Sequence, residues 1–307
     1  MKIILTGATG LIGSRFEALM FESYEIIPLS SSDGVDITNR GSMESFLSGK
    51  NADVVIHLAG KTDVDSCEED KDTDLGILNI DEEKIKSLDT NDLDSSVWQD
   101  KNTAFAINTI GTKNLYDIAK EKGIKFVYIS TDFVFPGNGE YTEDSQTGPI
   151  NWYGMTKWYG ESLIDNTKDL IVRLSFPYGY SSPVRQDFVQ KLIDLLRDKD
   201  EVSLVENQTI TPTFIDDIVN GLDFLLSKNA TGIHHLTGSS YLTPLEIGEK
   251  IKNTFSFETI INTTNMEALY AGKAPRPFQS KMQNAKIRNL GFNPKTFDEG
   301  LEAIKIM

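Results

Sequence analysis

A glycine loop, Gly7-Ala8-Thr9-Gly10-Leu11-Ile12-Gly13, follows directly on the apolar run Lys2-Ile3-Ile4-Leu5 and opens a helical pattern. Each glycine answers a need of a phosphate-binding turn. One permits the tight turn, one lets the backbone approach a pyrophosphate, and one lets the helix pack close to the sheet. The start of the helix adds free N–H groups and a partial positive charge. Three glycines alone carry little. Placed after a strand, before a helix, and at the head of an alternating pattern, they predict dinucleotide binding.

That alternation continues. Short runs rich in β-branched and apolar residues at 2–5, 24–29, 53–58, 125–130 and 170–174 read as strands buried on both faces. Residues 13–20, 42–47, 103–122 and 153–166 between them read as helices. Repeated strand–helix units mean an α/β fold, a Rossmann-type doubly wound parallel sheet. The second half is patchier, with helices expected at 188–196, 215–226 and 298–306 and a capped start at Thr243-Pro244-Leu245-Glu246. We read residues 1–178 as a dinucleotide-binding domain and 179–307 as a smaller, substrate-binding one, with 214–237 packing back on the first. Residues 68–101 are polar and acidic, and read as a surface insertion with a short helix near 82–88. A solvated acidic face explains the carboxylates there better than a calcium loop does, because the spacing is irregular. No metal is expected.

The formal net charge of −16 disfavours nucleic acid as a partner. A single cysteine, Cys67, permits no intramolecular disulfide and suits a reducing compartment. No apolar run has the length of a membrane span. The expectation is a soluble, cytoplasmic protein with no membrane partner.

Around the loop, Gly7, Thr9, Gly10, Leu11, Ile12 and Gly13 are the candidate phosphate contacts. The second strand ends Leu29-Ser30-Ser31-Ser32, with no acid before Asp33. An acid at that end would bind a ribose 2′-hydroxyl, whereas serines, with Arg15 from the first helix, suit a 2′-phosphate. The cofactor reading is NADP, with NAD the alternative. Asp36 is a candidate adenine contact, and Ile37 is expected beside the cofactor.

Tyr153 and Lys157 lie four apart at the head of a helix, so they share a face. A phenol is a poor acid–base group at neutral pH, and a neighbouring ammonium favours its ionised form. Such a tyrosine can protonate a carbonyl oxygen while a Ser or Thr hydroxyl holds the same atom. The pair alone is weak, and Tyr116 and Lys120 repeat it by chance. Context favours Tyr153: it follows Ser130-Thr131, which end the fourth strand, and ligands of open parallel sheets sit at strand carboxyl ends.

The stretch Ser130-Thr131-Asp132-Phe133-Val134-Phe135, then Gly139-Glu140-Tyr141, then Asn151-Trp152-Tyr153-Gly154-Met155-Thr156-Lys157, resembles the dTDP-4-dehydrorhamnose reductases, which are extended short-chain dehydrogenases. Arg173-Leu174-Ser175-Phe176, Thr211-Pro212-Thr213 and Arg276-Pro277 extend the likeness along nearly the whole chain. The resemblance implies reduction of the 4-keto group of a nucleotide-linked 6-deoxyhexose. It implies Thr131 on the keto oxygen, Tyr153 as proton donor and Lys157 on the nicotinamide ribose. Ser130, Leu58, Ala59, Gly60 and Asn108 are then expected beside the cofactor. Asp132, Phe133, Phe176 and Arg276 are expected beside the substrate, with Arg276 chosen for its phosphates from a pool including Arg173, Arg185, Lys281 and Arg288. A homodimer is compatible with this reading.

Two departures stand out. His57 replaces an expected polar amide and reads as a packed side chain. The 68–101 stretch has no expected counterpart. A 4,6-dehydratase would carry a second carboxylate where Phe133 stands, which argues against elimination. A sugar epimerase, and a non-catalytic NADP-binding regulatory subunit like the β subunit of methionine adenosyltransferase, remain alternatives.

Overall fold

The computed structural model describes residues 1–31, 34–90, 93–179 and 186–306. Strands β1 (Lys2–Thr6), β2 (Glu25–Leu29), β3 (Val54–His57) and β4 (Lys125–Thr131) join strands Leu170–Leu174 and Gly232–His235 in one six-stranded sheet. Across it the order is β2, β1, β3, β4, Leu170–Leu174, Gly232–His235, and every neighbouring pair is parallel. The chain leaves β1 for β2 on one side and returns to β3 on the other. That reversal opens a crevice above the carboxyl ends of β1 and β3.

The period of two along β1 divides the core. Ile3 and Leu5 face Phe16, Val219 and Leu222 on one side of the sheet. Ile4 and Val55 face Leu115, Ile118 and Phe126 on the other. Helix α1 (Leu11–Met20) lies close to the first turn because Gly13 has no side chain: a Cβ there would stand 2.2 Å from the Gly7 carbonyl oxygen. Gly7 itself has φ +66°, in the left-handed region.

Helix Ile215–Ser227 returns to the sheet, where Ile218, Val219 and Leu222 join the cluster that holds Ile3. Arg15 of α1 meets its Asp216 at 2.6 Å. A separate cluster built on Tyr178, Val189, Ile193, Ile247, Phe297 and Leu301 organises most of the remaining C-terminal half. The Thr243 start carries the full capping box. Among the described residues, no helix is long and apolar enough to cross a membrane.

The acidic stretch is folded into the body of the protein, unlike the surface insertion read from the sequence. It forms helices Val64–Glu69 and Lys71–Leu78 and a 3-10 turn, Glu82–Ser87. Buried Cys67, Ile85 and Trp98 join Phe105, Trp152 and Tyr159 in one cluster. The carboxylates here and in the turn before it do local work. Asp63 accepts from the Ser66 N–H at 2.8 Å, and Asp70 takes the Ala104 N–H at 2.8 Å and Lys61 at 2.5 Å. Asp74, fully buried, takes the Phe105 N–H at 3.0 Å. Carboxylates at helix starts satisfy N–H groups that the helices cannot satisfy themselves.

Candidate active site

A cleft of about 1020 Å³ lies over the carboxyl ends of β1, β3 and β4. Gly7, Thr9, Gly10, Leu11, Ile12 and Gly13 form one wall. Gly10 caps α1 without a side-chain hydrogen bond, which leaves the first-turn N–H groups to a ligand. A Cβ on Gly10 would meet only the Gly7 carbonyl oxygen, at 3.1 Å. The protein interior does not demand glycine there, so the space kept open suits a group that is not protein.

Ser30, Asp36, Ile37, Leu58, Ala59, Gly60 and Ser130 also line the cleft, as does Ser31. Asp36 is partly committed, since one carboxylate oxygen accepts from both the N–H and the hydroxyl of Thr38 at 2.8 Å. Ser32, Asp33 and Arg185 lie outside the described residues. Two expected cofactor contacts do not line the cleft. Arg15 makes a bidentate pair with Asp216, at 2.6 and 2.7 Å. Asn108 is buried in a π-helical turn, Ala106–Gly111. Its side chain clamps the backbone of Lys61 at 2.8 and 2.9 Å and donates to the Thr156 hydroxyl at 3.0 Å.

Thr131, Tyr153 and Lys157 come together in the same cleft. Tyr153 and Lys157 stand a turn apart on helix Trp152–Ser162, which starts where the Asn151 side chain accepts from the Gly154 N–H at 2.8 Å. Two glycines bring that helix against the strand end. A Cβ on Gly154 would lie 2.1 Å from the Phe133 carbonyl oxygen, and one on Gly160 2.1 Å from the Tyr128 hydroxyl.

Lys157 is buried, its ammonium 4.1 Å from the centre of the Tyr128 ring. Burial pulls its pKa down to about 7, with Glu161 opposing. Glu161 is held in turn by Arg173, at 2.8 and 2.7 Å. The Thr131 hydroxyl donates to Asp132 at 3.2 Å and accepts from the Phe133 N–H at 3.3 Å. The other Asp132 oxygen accepts from Ser175 and Ser280 at 3.0 and 2.9 Å. Burial still pushes the Asp132 carboxyl up to about 6. Asp132, Phe133 and Phe176 line the cleft, and Phe176 holds φ +41°, a left-handed conformation unusual for a bulky residue.

His57 is packed, as the sequence suggested. Its Nδ1 lies 2.7 Å from the Thr6 hydroxyl and its Nε2 3.0 Å from the Thr112 hydroxyl. Because Thr112 already donates to the Asn108 carbonyl at 2.7 Å, it accepts here, which places the ring proton on Nε2. Burial, with Lys157 adding to it, holds His57 down to about 3 and therefore neutral.

At the far end Arg276 lines the cleft, tied to Asp65 at 2.8 Å and over the Tyr270 ring at 5.1 Å. The rest of the expected cation pool is elsewhere. Arg173 is buried on Glu161, and neither Lys281 nor Arg288 lines the cleft. Lys191, Gln208 and Tyr270 do line it. Sequence reasoning missed them because they come from second-half elements with no motif of their own. Tyr116, the decoy, donates to Asp169 at 3.0 Å away from the cleft.

The chain is similar to known proteins over nearly its whole length. The spore coat polysaccharide biosynthesis protein SpsK of Bacillus subtilis is 30% identical over 305 residues, covering 98% of this chain and 95% of that one. The crystal structure of dTDP-4-dehydrorhamnose reductase from Bacillus anthracis in complex with NADP superposes with a TM-score of 0.83 at 28% identity, covering 99% and 98% of the two chains. An ortholog from Clostridium acetobutylicum gives a TM-score of 0.82 at 28% identity, covering 100% and 99%. The family model described as the RmlD substrate binding domain matches residues 1–87 and 92–305, so all but a few residues of the acidic stretch have a counterpart, and the chain belongs to that family.

Proposed function

We propose that this protein is an NADPH-dependent reductase of the 4-keto group of a nucleotide-linked 6-deoxyhexose. The observation that carries the reading is the meeting of Thr131, Tyr153 and Lys157 in one cleft with the glycine loop. The relatives named above, one of them solved with NADP, support the cofactor and the substrate class. The cleft suits the cofactor: Gly10 keeps space open beside the start of α1, and Ser30 and Ser31 line the end of β2.

Bound NADPH supplies the hydride. The protein's own groups manage the oxygen that becomes a hydroxyl. Tyr153 gives it a proton, so that no alkoxide has to be released into a poorly solvated cleft. Lys157, as the ammonium, favours the phenolate that remains and holds the nicotinamide ribose. Thr131 fixes the carbonyl oxygen, with Asp132 orienting its hydroxyl. Phe133 and Phe176 flank the sugar, and Arg276 and Lys191 supply positive charge for the diphosphate. The single thiol, Cys67, is buried, and burial pushes it up to about 12, so it takes no part in this chemistry.

The test follows NADPH oxidation at 340 nm with dTDP-4-keto-6-deoxy-L-mannose made in situ. Turnover that Tyr153→Phe abolishes supports the assignment. Tight cofactor binding with no turnover on this or related keto-sugars overturns it in favour of a binding subunit.

A further inference from the structure

Trp152, the residue before Tyr153, is gripped from outside its own helix. Its backbone N–H donates to Glu68 Oε2 at 2.7 Å, and its indole Nε1–H donates to Asp74 Oδ2 at 2.7 Å. Both acceptors belong to the acidic stretch, on helices Val64–Glu69 and Lys71–Leu78. Asp74 is 0% exposed, and the same oxygen takes the Phe105 N–H at 3.0 Å. Phe105 stands immediately before the π-helical turn whose Asn108 holds Thr156, a neighbour of Lys157. One buried carboxylate therefore ties together the start of the Tyr153 helix and the helix that braces it. The aromatic contacts run the same way, with Phe105 stacked on Trp152 at 6.2 Å and against Tyr159 at 5.8 Å.

We propose that Asp74 and Glu68 are positioning residues for Tyr153, and that the acidic stretch sets the catalytic geometry of this enzyme. A buried carboxylate is a costly choice for stability alone, because a well-packed apolar group would serve as well or better. It is suited to fixing a direction: the indole N–H and a backbone N–H converge on one point, and this sets how the helix turns Tyr153 toward the cleft. A small misplacement of a proton donor is enough to cost a large factor in rate. Glu68 acts on the backbone itself, at a helix start whose N–H groups have no partner within the helix.

This inference rests on the reductase reading, and the experiment keeps the two apart. Asp74→Asn, Glu68→Gln and Trp152→Phe are compared with wild type and with Asp72→Asn, an exposed carboxylate on the same helix as Asp74. Sites are counted by NADPH titration, so that unfolded protein does not enter the rates. The expected result is a kcat per site at least tenfold lower in Asp74→Asn and Trp152→Phe and several-fold lower in Glu68→Gln. KM and NADPH affinity stay within about threefold and Asp72→Asn is unchanged. Asp74→Asn combined with Trp152→Phe is no worse than the poorer single variant, since the neutral amide weakens, and the loss of the indole donor removes, one and the same contact. A second readout needs no substrate: in the NADP complex, the 295 nm absorbance step that Tyr153→Phe deletes moves to higher pH in Asp74→Asn. Wild-type turnover absent on every keto-sugar defeats the reductase reading, and the absorbance step then decides the positioning role. Full kcat per site with an unmoved absorbance step, whatever the melting temperature, overturns the inference. Should Asp74→Asn not fold, Trp152→Phe decides it alone, because it removes the indole donor and leaves the carboxylate to Phe105.

Discussion

The glycine loop after β1 and the acidic stretch after β3 border the same cleft, yet they are built on opposite principles. The loop works through what it lacks. Gly13 leaves room for the Gly7 carbonyl and Gly10 leaves room for a ligand. The stretch, with the turn that leads into it, works through what it carries: Asp63, Asp70 and Asp74 accept N–H groups at two helix starts, and Asp65 holds Arg276. A missing side chain has a fixed address in the sequence. A carboxylate used as an internal cap looks the same as one facing water until its partner, far along the chain, is known.

This contrast can be tested, beginning with the change expected to be largest. Trp98→Ala should cost about 3–5 kcal/mol in denaturant unfolding, because Trp98 is 1% exposed and its ring lies 5.0 Å from that of Phe105, tilted against it. A cost under about 0.5 kcal/mol would return the stretch to the surface. Gly10→Val should weaken NADPH binding by about a hundredfold or more, roughly 2.7 kcal/mol, and leave the melting temperature nearly unchanged. Intact binding in a cofactor titration would mean that the loop does not cradle the pyrophosphate. Gly154→Ala should cost about 1–3 kcal/mol, since its new Cβ meets backbone rather than a movable side chain. Retained stability and rate would show that the helix does not need its close approach to Phe133.

The pH profile gives a further prediction. Lys157 titrates at about 7 in the folded protein, below the ordinary lysine value, and burial is the main cause. The ammonium is therefore full below that pH and lost as pH rises through it. For stability the sign is unfavourable: the unfolded chain binds the proton more tightly, so folding is penalised from the ordinary lysine range downward, and the penalty levels off below about pH 7. If the ammonium assists the phenol, kcat/KM should fall about tenfold per pH unit above 7, and Lys157→Met should remove that limb. A flat profile to pH 9 would separate Lys157 from the proton step. The smallest effect is expected for Asp72→Asn, within about 0.5 kcal/mol, as for a solvated carboxylate.

Where the sequence was legible, local chemistry and position coincided. The strands declared themselves because burial on both faces leaves near-continuous apolar runs, and Tyr153 because it follows a hydroxyl at a strand end. Helix Lys71–Leu78 stayed hidden because its burial comes from isolated anchors and from Asp74, a residue whose type argues for the surface. Arg15 misled for the opposite reason. It lies on the right helix for a 2′-phosphate, but Asp216, two hundred residues on, holds its guanidinium. Lys191, Gln208 and Tyr270 reach the cleft only through the packing of the second half, and no local spacing announces that.

The most direct measurement is NADPH consumption on the 4-keto-6-deoxy sugar nucleotide by wild type and Tyr153→Phe, normalised to cofactor-binding sites. The account predicts turnover in wild type and a loss of about 10²–10⁴-fold in the variant at unchanged NADPH affinity, the range that removal of a positioned proton donor gives. Equal turnover in the two proteins would contradict it.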